Sequence, residues 1–315
     1  MKRKKSKISS KITLLIFAIL IAAIIYGYTT QVDINFFRNA EEPSHEILPE
    51  VPVIRETPSL EEVSVSFIDV GQGDATLIRT ENFVLLIDTG SRTAEEQVLR
   101  TLRDKEIETI DLIILTHGHE DHIGNARSIM EAFEVLEVKY PQATHELVET
   151  LVWGRTLDAI EEHNVSVIYP IVGQNRYFDD VRIDILGPLE GLRGINNNSI
   201  MLRVTHGEVS FMFSGDAERE AERAAVATGN ITPVNVILAG HHGSNTSSTD
   251  EWLDATSPRY AIISAGENNR HNHPHSLVLY RLETRNINIK KTKELGTITA
   301  LSDGYNLRFV LQNNH

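Results

Sequence analysis

Residues 111–124 read DLIILTHGHEDHIG, an apolar run that leads into three histidines and an aspartate. The apolar run is short and rich in branched side chains, which is typical of a buried strand. His117 and His119 alternate along an extended turn, so their imidazoles can face the same side. Asp121 and His122 begin the next element and can face a second ion nearby. This spacing predicts a site for two metal ions at the carboxyl end of the strand.

The composition supports a metal site built from histidine and carboxylate. The chain has 315 residues, of which 41% are hydrophobic and 23% charged, as in globular proteins. It contains no cysteine, which excludes disulfide scaffolds, thiolate zinc fingers, iron–sulfur clusters and cysteine nucleophiles. Histidine and carboxylate side chains are therefore the expected metal ligands.

The charge is distributed unevenly along the chain. The net charge is −14, but residues 1–11 carry six Lys or Arg and no Asp or Glu. The remainder has 24 basic and 44 acidic residues, a net charge of −20. Such a balance argues against a broad phosphate-binding surface, since tight backbone binding needs clustered cations. The cations that could form a basic groove are Arg270, Lys290, Lys291 and Lys293.

The N-terminal segment predicts membrane attachment. Residues 12–28 are uncharged and follow the basic tail 1–11, so we expect a single-pass signal-anchor with the tail in the cytoplasm. The domain that follows is then extracellular, or secreted if the segment is cleaved as a signal peptide. Residues 29–62 are acidic and contain four of the ten prolines between positions 43 and 58, which predicts an extended linker.

From residue 63 to about 313 the pattern predicts a single α/β domain. Strands are predicted at 63–70, 75–80, 83–89, 111–116, 181–186, 199–204, 208–214, 234–239 and 260–265, with helices at 93–105, 146–162, 217–228 and 276–285. Strand-rich halves flanked by helices predict two sheets packed face to face with helices outside.

Two further segments place metal-ligand side chains directly after predicted strands. Asp216 follows Ser214 and Gly215, where a carboxylate suits a ligand shared by two ions, although it could equally cap the helix that follows. His241 and His242 follow the strand 234–239, and either one could complete the shell of the second ion.

These motifs together resemble the metallo-β-lactamase superfamily, and in particular the C-terminal hydrolase domain of the ComEC/Rec2 competence proteins. The resemblance is carried, in order, by FIDVGQGDATLI (67–78), LLIDTG (85–90), HGHEDH (117–122), NNNSIML (196–202), FSGDAE (213–218), LAGHHGSNTSS (238–248) and ENNRHNHPHSLVLYRLE (267–283). It implies a four-layer αββα sandwich. A single anchored domain is also similar to the teichoic-acid phosphorylcholine esterases of the same superfamily.

The resemblance implies a role for each candidate residue. Asp216 would bridge the two ions, whose other ligands would come from His117, His119, Asp121, His122 and one of His241 and His242. Asp121, His273 and Asp74 are the candidate catalytic residues, with Asp74 at the rim of the site. Asp88 would orient a histidine ligand through a hydrogen bond, and His273 would stabilise negative charge or protonate a leaving group.

Other histidines have weaker claims to the site. The extra histidine usual in the superfamily is replaced by residues 196–199, Asn-Asn-Asn-Ser. His145, His163 and His206 could be ligands only by default, and we expect them at the surface.

The implied activity is hydrolysis by a metal-bound hydroxide. Two divalent ions are expected, with Zn²⁺ favoured and Mn²⁺ the alternative. The expected substrate is a phosphodiester such as extracellular DNA, and no motif predicts an obligate protein partner. The alternatives are hydrolysis of wall-polymer or choline-phosphate esters, hydrolysis of lactams or lactones, or a non-catalytic metal-binding module of an envelope assembly.

Overall fold

A computed structural model describes residues 61–311, apart from the side chain of His145. The predicted basic tail, membrane segment and most of the predicted linker lie outside these residues. Within residues 61–311, no helix has the length and apolar character that crossing a bilayer requires.

The first sheet has eight strands and contains the strand that precedes the histidine motif. Its order is β15-β14-β1-β2-β3-β4-β5-β6. Each neighbouring pair from β15 to β3 is antiparallel. Each neighbouring pair from β3 to β6 is parallel. The strands are β1 (Val63–Phe67), β2 (Thr76–Arg79), β3 (Val84–Ile87), β4 (Thr109–Ile114), β5 (Glu134–Lys139), β6 (Ser166–Ile168), β14 (Ile298–Ser302) and β15 (Leu307–Leu311).

The second sheet has seven strands in the order β13-β12-β11-β10-β9-β8-β7. Strands β10 to β13 are parallel, and the hairpin strands β7 to β10 are antiparallel. The strands are β7 (Asn175–Phe178), β8 (Val181–Ile185), β9 (Leu202–His206), β10 (Val209–Phe213), β11 (Val236–Leu238), β12 (Tyr260–Ile263) and β13 (Asn288–Lys291).

Nine α-helices and three 3₁₀ turns complete the described part of the chain. The helices are α1 (Glu95–Asp104), α2 (Glu120–Ile123), α3 (Ala126–Ala132), α4 (Ala143–Leu147), α5 (Leu151–Glu162), α6 (Arg219–Ala227), α7 (Asp250–Thr256), α8 (Ser276–Thr284) and α9 (Thr292–Leu295), and the 3₁₀ turns are Arg92–Ala94, Asn196–Asn198 and Gly240–Gly243.

Three buried apolar layers show how the elements stack. One layer lies between the sheets and includes Phe67 and Phe213, whose ring centroids are 6.2 Å apart. A second joins the first sheet to α1, α3 and α5, for example through Leu102 and Trp153. The third joins the second sheet to α6, α7 and α8. The order of layers is therefore helix, sheet, sheet, helix, which confirms the two-sheet sandwich.

Candidate metal centre

Strands from both sheets end at the same place, and each delivers a polar side chain there. In the first sheet, β3 is followed by Asp88, and β4 by His117. In the second sheet, β10 is followed by Asp216, and β11 by His241 and His242. The carboxyl ends of parallel strands meet at one edge of a sheet, where α/β proteins commonly bind ligands. The sandwich therefore gathers polar side chains from two sheets at one edge.

The histidine motif folds as predicted, with an extended turn leading into a short helix. His117 and His122 are buried, whereas His119 and Asp121 are partly exposed. Nε2 of His117 lies 3.0 Å from Nδ1 of His119, so the two imidazoles converge on one spot. His122 lies in the short helix α2 and faces the carboxylate oxygen of Asp216 that His117 does not face.

Asp216 lies between the imidazoles of the motif. Its Oδ2 is 3.6 Å from Nε2 of His117 and 3.3 Å from Nε2 of His241. Its Oδ1 is 3.1 Å from Nε2 of His122 and 3.7 Å from Nε2 of His242. Each carboxylate oxygen thus faces a different pair of histidines.

Two groups of metal-ligating atoms result, and Asp216 belongs to both. One consists of His117, His119 and Asp216, and the other of Asp74, His122, Asp216 and His242. Within each group, the ligand atoms all lie within 4.8 Å of one another.

The buried polar atoms of the second group fit a metal ion. Oδ1 of Asp74, Nε2 of His122, Oδ1 of Asp216 and Nε2 of His242 are all buried without a well-aligned hydrogen bond, and their polar neighbours at 3.1–3.7 Å are other members of the cluster. Buried polar atoms without partners are costly, and convergent ones are typical of a site that binds an ion. The ring atom Nδ1 of His122, in contrast, is hydrogen-bonded to Oδ2 of Asp88 at 2.8 Å. The expected hydrogen bond between Asp88 and a histidine is therefore present, and it leaves Nε2 directed at Asp216.

The electrostatics of the cluster favour a cation. Burial opposes the charged form of His242, but the carboxylates of Asp74 and Asp216 outweigh it and raise the pKa to about 10. Burial likewise opposes the charged form of His122, yet Asp216 and Asp88 raise its pKa well above the usual value. The buried carboxylates thus create a negative field at the site, and a divalent cation satisfies such a field as protons do.

The adjacent histidines His241 and His242 occupy distinct positions. Both have left-handed backbone conformations, with φ of 52° and 55°, which non-glycine residues adopt at a cost and often at functional sites. His242 is buried, and its Nε2 lies 3.3 Å from Oδ2 of Asp121. His241 is partly exposed and faces the other oxygen of Asp216. The structure therefore places His242, rather than His241, in the second group.

Asp74 lies deeper than the resemblance implies. The turn before it does form the rim, because Gly71 and Gln72 line the cleft over the site. The Asp74 side chain is only 3% exposed, however, and its Oδ1 is 3.3 Å from Nδ1 of His242. Gly73 allows this approach, since a Cβ there would stand 2.3 Å from the carbonyl oxygen of Asp121. Asp74 is consequently placed as a candidate ligand below the rim.

His273 lines the cleft beside the second sheet. Its ring centroid is 5.6 Å from that of His241 and 6.2 Å from that of His242. Burial and the neighbouring imidazoles of His242 and His241 lower its pKa to about 4. His273 is therefore neutral at neutral pH, which suits a hydrogen-bond donor better than an acid.

Several supporting residues were not predicted from the sequence. Thr116 donates from both its backbone N and its Oγ1 to Asp88, each at 2.7 Å. In the segment 196–199, Oγ of Ser199 accepts a hydrogen bond from the backbone N of Asp216 at 3.2 Å, so this segment positions the shared carboxylate. Serine and threonine at such positions have no distinctive spacing, which is why the sequence did not reveal them.

His145, His163 and His206, the three histidines with weaker claims, are not members of either ligand group. His163 is exposed, as expected. The expectation that His206 lies at the surface is wrong, because it faces the interior from β9, where its Nδ1 is hydrogen-bonded to Ser302 at 2.9 Å. The side chain of His145 is outside the described part of the structure.

The fold and site together define the class of protein. The sequence profile of the metallo-beta-lactamase superfamily matches residues 68–267. The chain therefore belongs to the metallo-β-lactamase superfamily, whose members are in general metal-dependent hydrolases.

Within that superfamily the chain is similar to competence proteins. It is 30% identical to ComE operon protein 3 of Bacillus subtilis over 256 residues, covering 75% of this chain and 33% of the relative. It is 30% identical to Recombination protein 2 of Haemophilus influenzae over 240 residues, covering 74% of this chain and 28% of the relative. The chain thus spans about a third of the length of these relatives.

Solved structures support the fold. The metallo-beta-lactamase fold protein YhfI from Bacillus subtilis matches with a TM-score of 0.53 and 12% identity, covering 77% of this chain and all of that structure. The diiron β-hydroxylase CmlA from Streptomyces venezuelae matches with a TM-score of 0.51 and 15% identity, covering 81% of this chain and 55% of that structure.

Proposed function

We propose that this chain is a metal-dependent phosphodiesterase that acts on nucleic acid outside the cell. The observation that carries the proposal is the position of Asp216, one buried carboxylate with an oxygen directed at each of two ligand groups. The groups lie at the floor of a cleft of about 600 Å³ that is lined by His119, Asp121, Asp216 and His273, among others. Such a shared carboxylate suits two ions held close together.

The candidate ligands fall into two sets under this proposal. His117, His119 and Asp216 would hold one ion, and His122, Asp216, His242 and Asp74 the other. Asp121 points at His242 and can serve the second ion or the substrate. When bound, divalent ions supply Lewis acidity and lower the pKa of water towards neutrality.

The chain's own residues would position the reaction around the ions. Asp88 and Thr116 fix the orientation of His122 through three hydrogen bonds. His273, neutral and facing the cleft, would donate an N–H to an oxygen that gains negative charge in the transition state. The exposed Arg270 at the cleft rim would contact a second phosphate.

Two observations favour a phosphodiester substrate. The names of the similar proteins refer to the ComE operon and to recombination, and recombination acts on DNA, which supports a nucleic-acid substrate. Arg270 lines the cleft, whereas Lys290 lies over the ring of Phe309 and Lys291 pairs with Glu294 at 2.9 Å. With one of these cations at the cleft, binding to a phosphate backbone should be modest.

The proposed extracytoplasmic location rests on the basic tail before residues 12–28.

The test combines metal analysis of the purified full chain with a substrate panel. The panel consists of bis-p-nitrophenyl phosphate, single-stranded DNA, p-nitrophenyl phosphorylcholine and nitrocefin. We expect about two ions per chain and turnover of the first two substrates. Asp216→Asn should lose at least one ion and abolish turnover, whereas Asp254→Asn, which alters an exposed carboxylate paired with Arg285, should do neither.

Each other outcome contradicts the proposal in a defined way. Turnover restricted to the choline ester or to nitrocefin would assign the chain to another ester or to lactam hydrolysis. Inactivity of metal-loaded protein on the whole panel would favour a non-catalytic metal-binding module. Full activity of Asp216→Asn would refute the shared-carboxylate site itself.

A further inference from the structure

A second cavity lies between the two sheets and shares no lining residue with the cleft. It has a volume of about 240 Å³. Strands β4, β5 and β6 of the first sheet and β7 and β8 of the second contribute its walls. Because β6 and β7 are the edge strands of their sheets, the cavity lies where the layer between the sheets reaches the side of the sandwich.

Lys139 is a charged residue at a position where the sheet would normally carry an apolar side chain. In register with Ile114 on β4 and Ile168 on β6, it lies on the face that packs against the second sheet. It lines the cavity and is only 6% exposed. Its ammonium makes no hydrogen bond or ion pair with any residue in the described range 61–311. The side chain is thus mostly buried while its ammonium has no ion-pair partner in this range, so an apolar wall at this position favours an anion beside it.

The other two charges at the cavity neutralise each other. Arg176 of β7 forms an ion pair with Glu137 of β5, and its guanidinium lies 4.5 Å from the ring centroid of Phe178. Lys139 therefore contributes an uncompensated positive charge to the lining. Burial and the charge of Arg176 lower the pKa of Lys139, which an anion beside it would reverse.

The rest of the lining is largely apolar. It includes Leu112, Ile114, Ile168, Phe178, Ile183 and Ile185. Ile168 and Asn175, which flank the loop between β6 and β7, both line the cavity. Within this loop the side chain of Ile171 is 63% exposed to solvent. Ligand sites typically combine an apolar wall with a few convergent polar groups. The volume is below the usual range of about 300–1,000 Å³, which favours a compact ligand.

We propose that this cavity is an accessory binding site for a small amphipathic monoanion, a carboxylate with a short alkyl body. The carboxylate pairs with the ammonium of Lys139, and the alkyl body packs against Ile114, Ile168 and Ile183. The site is independent of the metal centre and of the reaction proposed there.

Hexanoate is the probe, and binding to the purified full chain is measured by calorimetry and by the shift in melting temperature. Hexylamine and hexan-1-ol keep the alkyl chain but replace the negative charge with a positive charge or a hydroxyl. We expect hexanoate to bind and to raise the melting temperature. Hexan-1-ol should bind at least about tenfold more weakly and hexylamine should not bind, because only hexanoate can form a charge-assisted hydrogen bond with the ammonium of Lys139.

Variants locate the site. Lys139→Met removes the charge at similar volume and should weaken hexanoate binding at least about tenfold while leaving hexan-1-ol binding and phosphodiester turnover unchanged. The matched control is Lys291→Met. Lys291 lies in β13 of the second sheet and is paired with Glu294, so this variant should bind hexanoate as the wild type does. Ile183→Phe should fill the cavity and abolish binding of both probes.

The same measurements can overturn the proposal. Since a carboxylate could instead bind a metal ion, hexanoate binding is also measured with Asp216→Asn, in which it should persist. Loss of binding in Asp216→Asn, equal binding by Lys139→Met and wild type, or no binding by wild type at millimolar hexanoate would each refute the site. If Lys139→Met fails to fold, the probe series and Ile183→Phe still decide the question.

Discussion

The change Asp88→Asn tests how the site orients His122, one of the proposed metal ligands. Asp88 accepts three hydrogen bonds, from the backbone N and the Oγ1 of Thr116 at 2.7 Å and from Nδ1 of His122 at 2.8 Å. Its backbone has a φ of 57°, a left-handed conformation that asparagine tolerates well. The substitution should therefore leave the backbone in place and change the hydrogen bonding alone.

The expected magnitude follows from the donor count. Asparagine has one carbonyl oxygen, which the fixed backbone N of Thr116 would occupy, so an amide NH₂ would then face His122. Nδ1 of His122 would lose its hydrogen-bond acceptor. The tautomer with the hydrogen on Nδ1 would no longer be favoured, so Nε2 would no longer be fixed as the nitrogen whose lone pair points at Asp216. Loss of such a supporting contact typically weakens metal binding about 10- to 100-fold, or about 1.4–2.7 kcal/mol.

Competition with a chromophoric chelator measures this loss in the purified full chain. Asp111→Asn is the matched control, because this aspartate accepts from the backbone N of Val84 at the other end of the same strand. It should leave metal affinity unchanged. A dissociation constant for Asp88→Asn within twofold of wild type would refute the reasoning. So would an equal loss in Asp111→Asn, which would trace the effect to general destabilisation.

Three further predictions concern catalysis, stability and topology. His273→Ala should lower phosphodiester turnover with metal content intact, as measured by kinetics and metal analysis on the same sample; loss of metal would instead make His273 a ligand. Glu222 is buried and accepts from the backbone N of Ser248 and Thr249, and burial raises its pKa from 4.5 to about 7. Since the folded state holds this proton more tightly, a contribution of about 3 kcal/mol to stability is present below pH 4.5 and lost as pH rises through 7. The difference in unfolding free energy between wild type and Glu222→Gln should fall by that amount between pH 4.5 and 8, and a pH-independent difference would contradict it. Finally, protease added to intact cells should remove the domain and leave a short stub, whereas full protection would place the domain inside.

The sequence revealed those parts of the site that depend on local spacing. The alternation of His117 and His119 and the start of a new element near Asp121 could be predicted because strand and turn geometry act over a few residues. The position of Asp216 after a strand was likewise visible. Each of these is a property of one short segment.

What the sequence did not reveal depends on contacts between distant segments. Whether His241 or His242 enters the second group is decided by two consecutive left-handed residues, and no spacing rule predicts that conformation. The depth of Asp74 depends on the approach of Gly73 to Asp121, 48 positions along the chain. Lys139 lies in a strand that was not predicted from the sequence, and its burial depends on packing between the two sheets.

The two ligand groups draw on both sheets, so ion binding is also a link between the halves of the sandwich. His117 and His122 follow β4 of the first sheet, and Asp216 and His242 follow strands of the second. An ion held by both would bind the native state alone, and at a free concentration 100 times its dissociation constant it would add about 2.7 kcal/mol to the unfolding free energy. Low metal concentration would then increase degradation of the protein as well as remove its activity. Local opening between the two sheets exposes the chain to proteolysis.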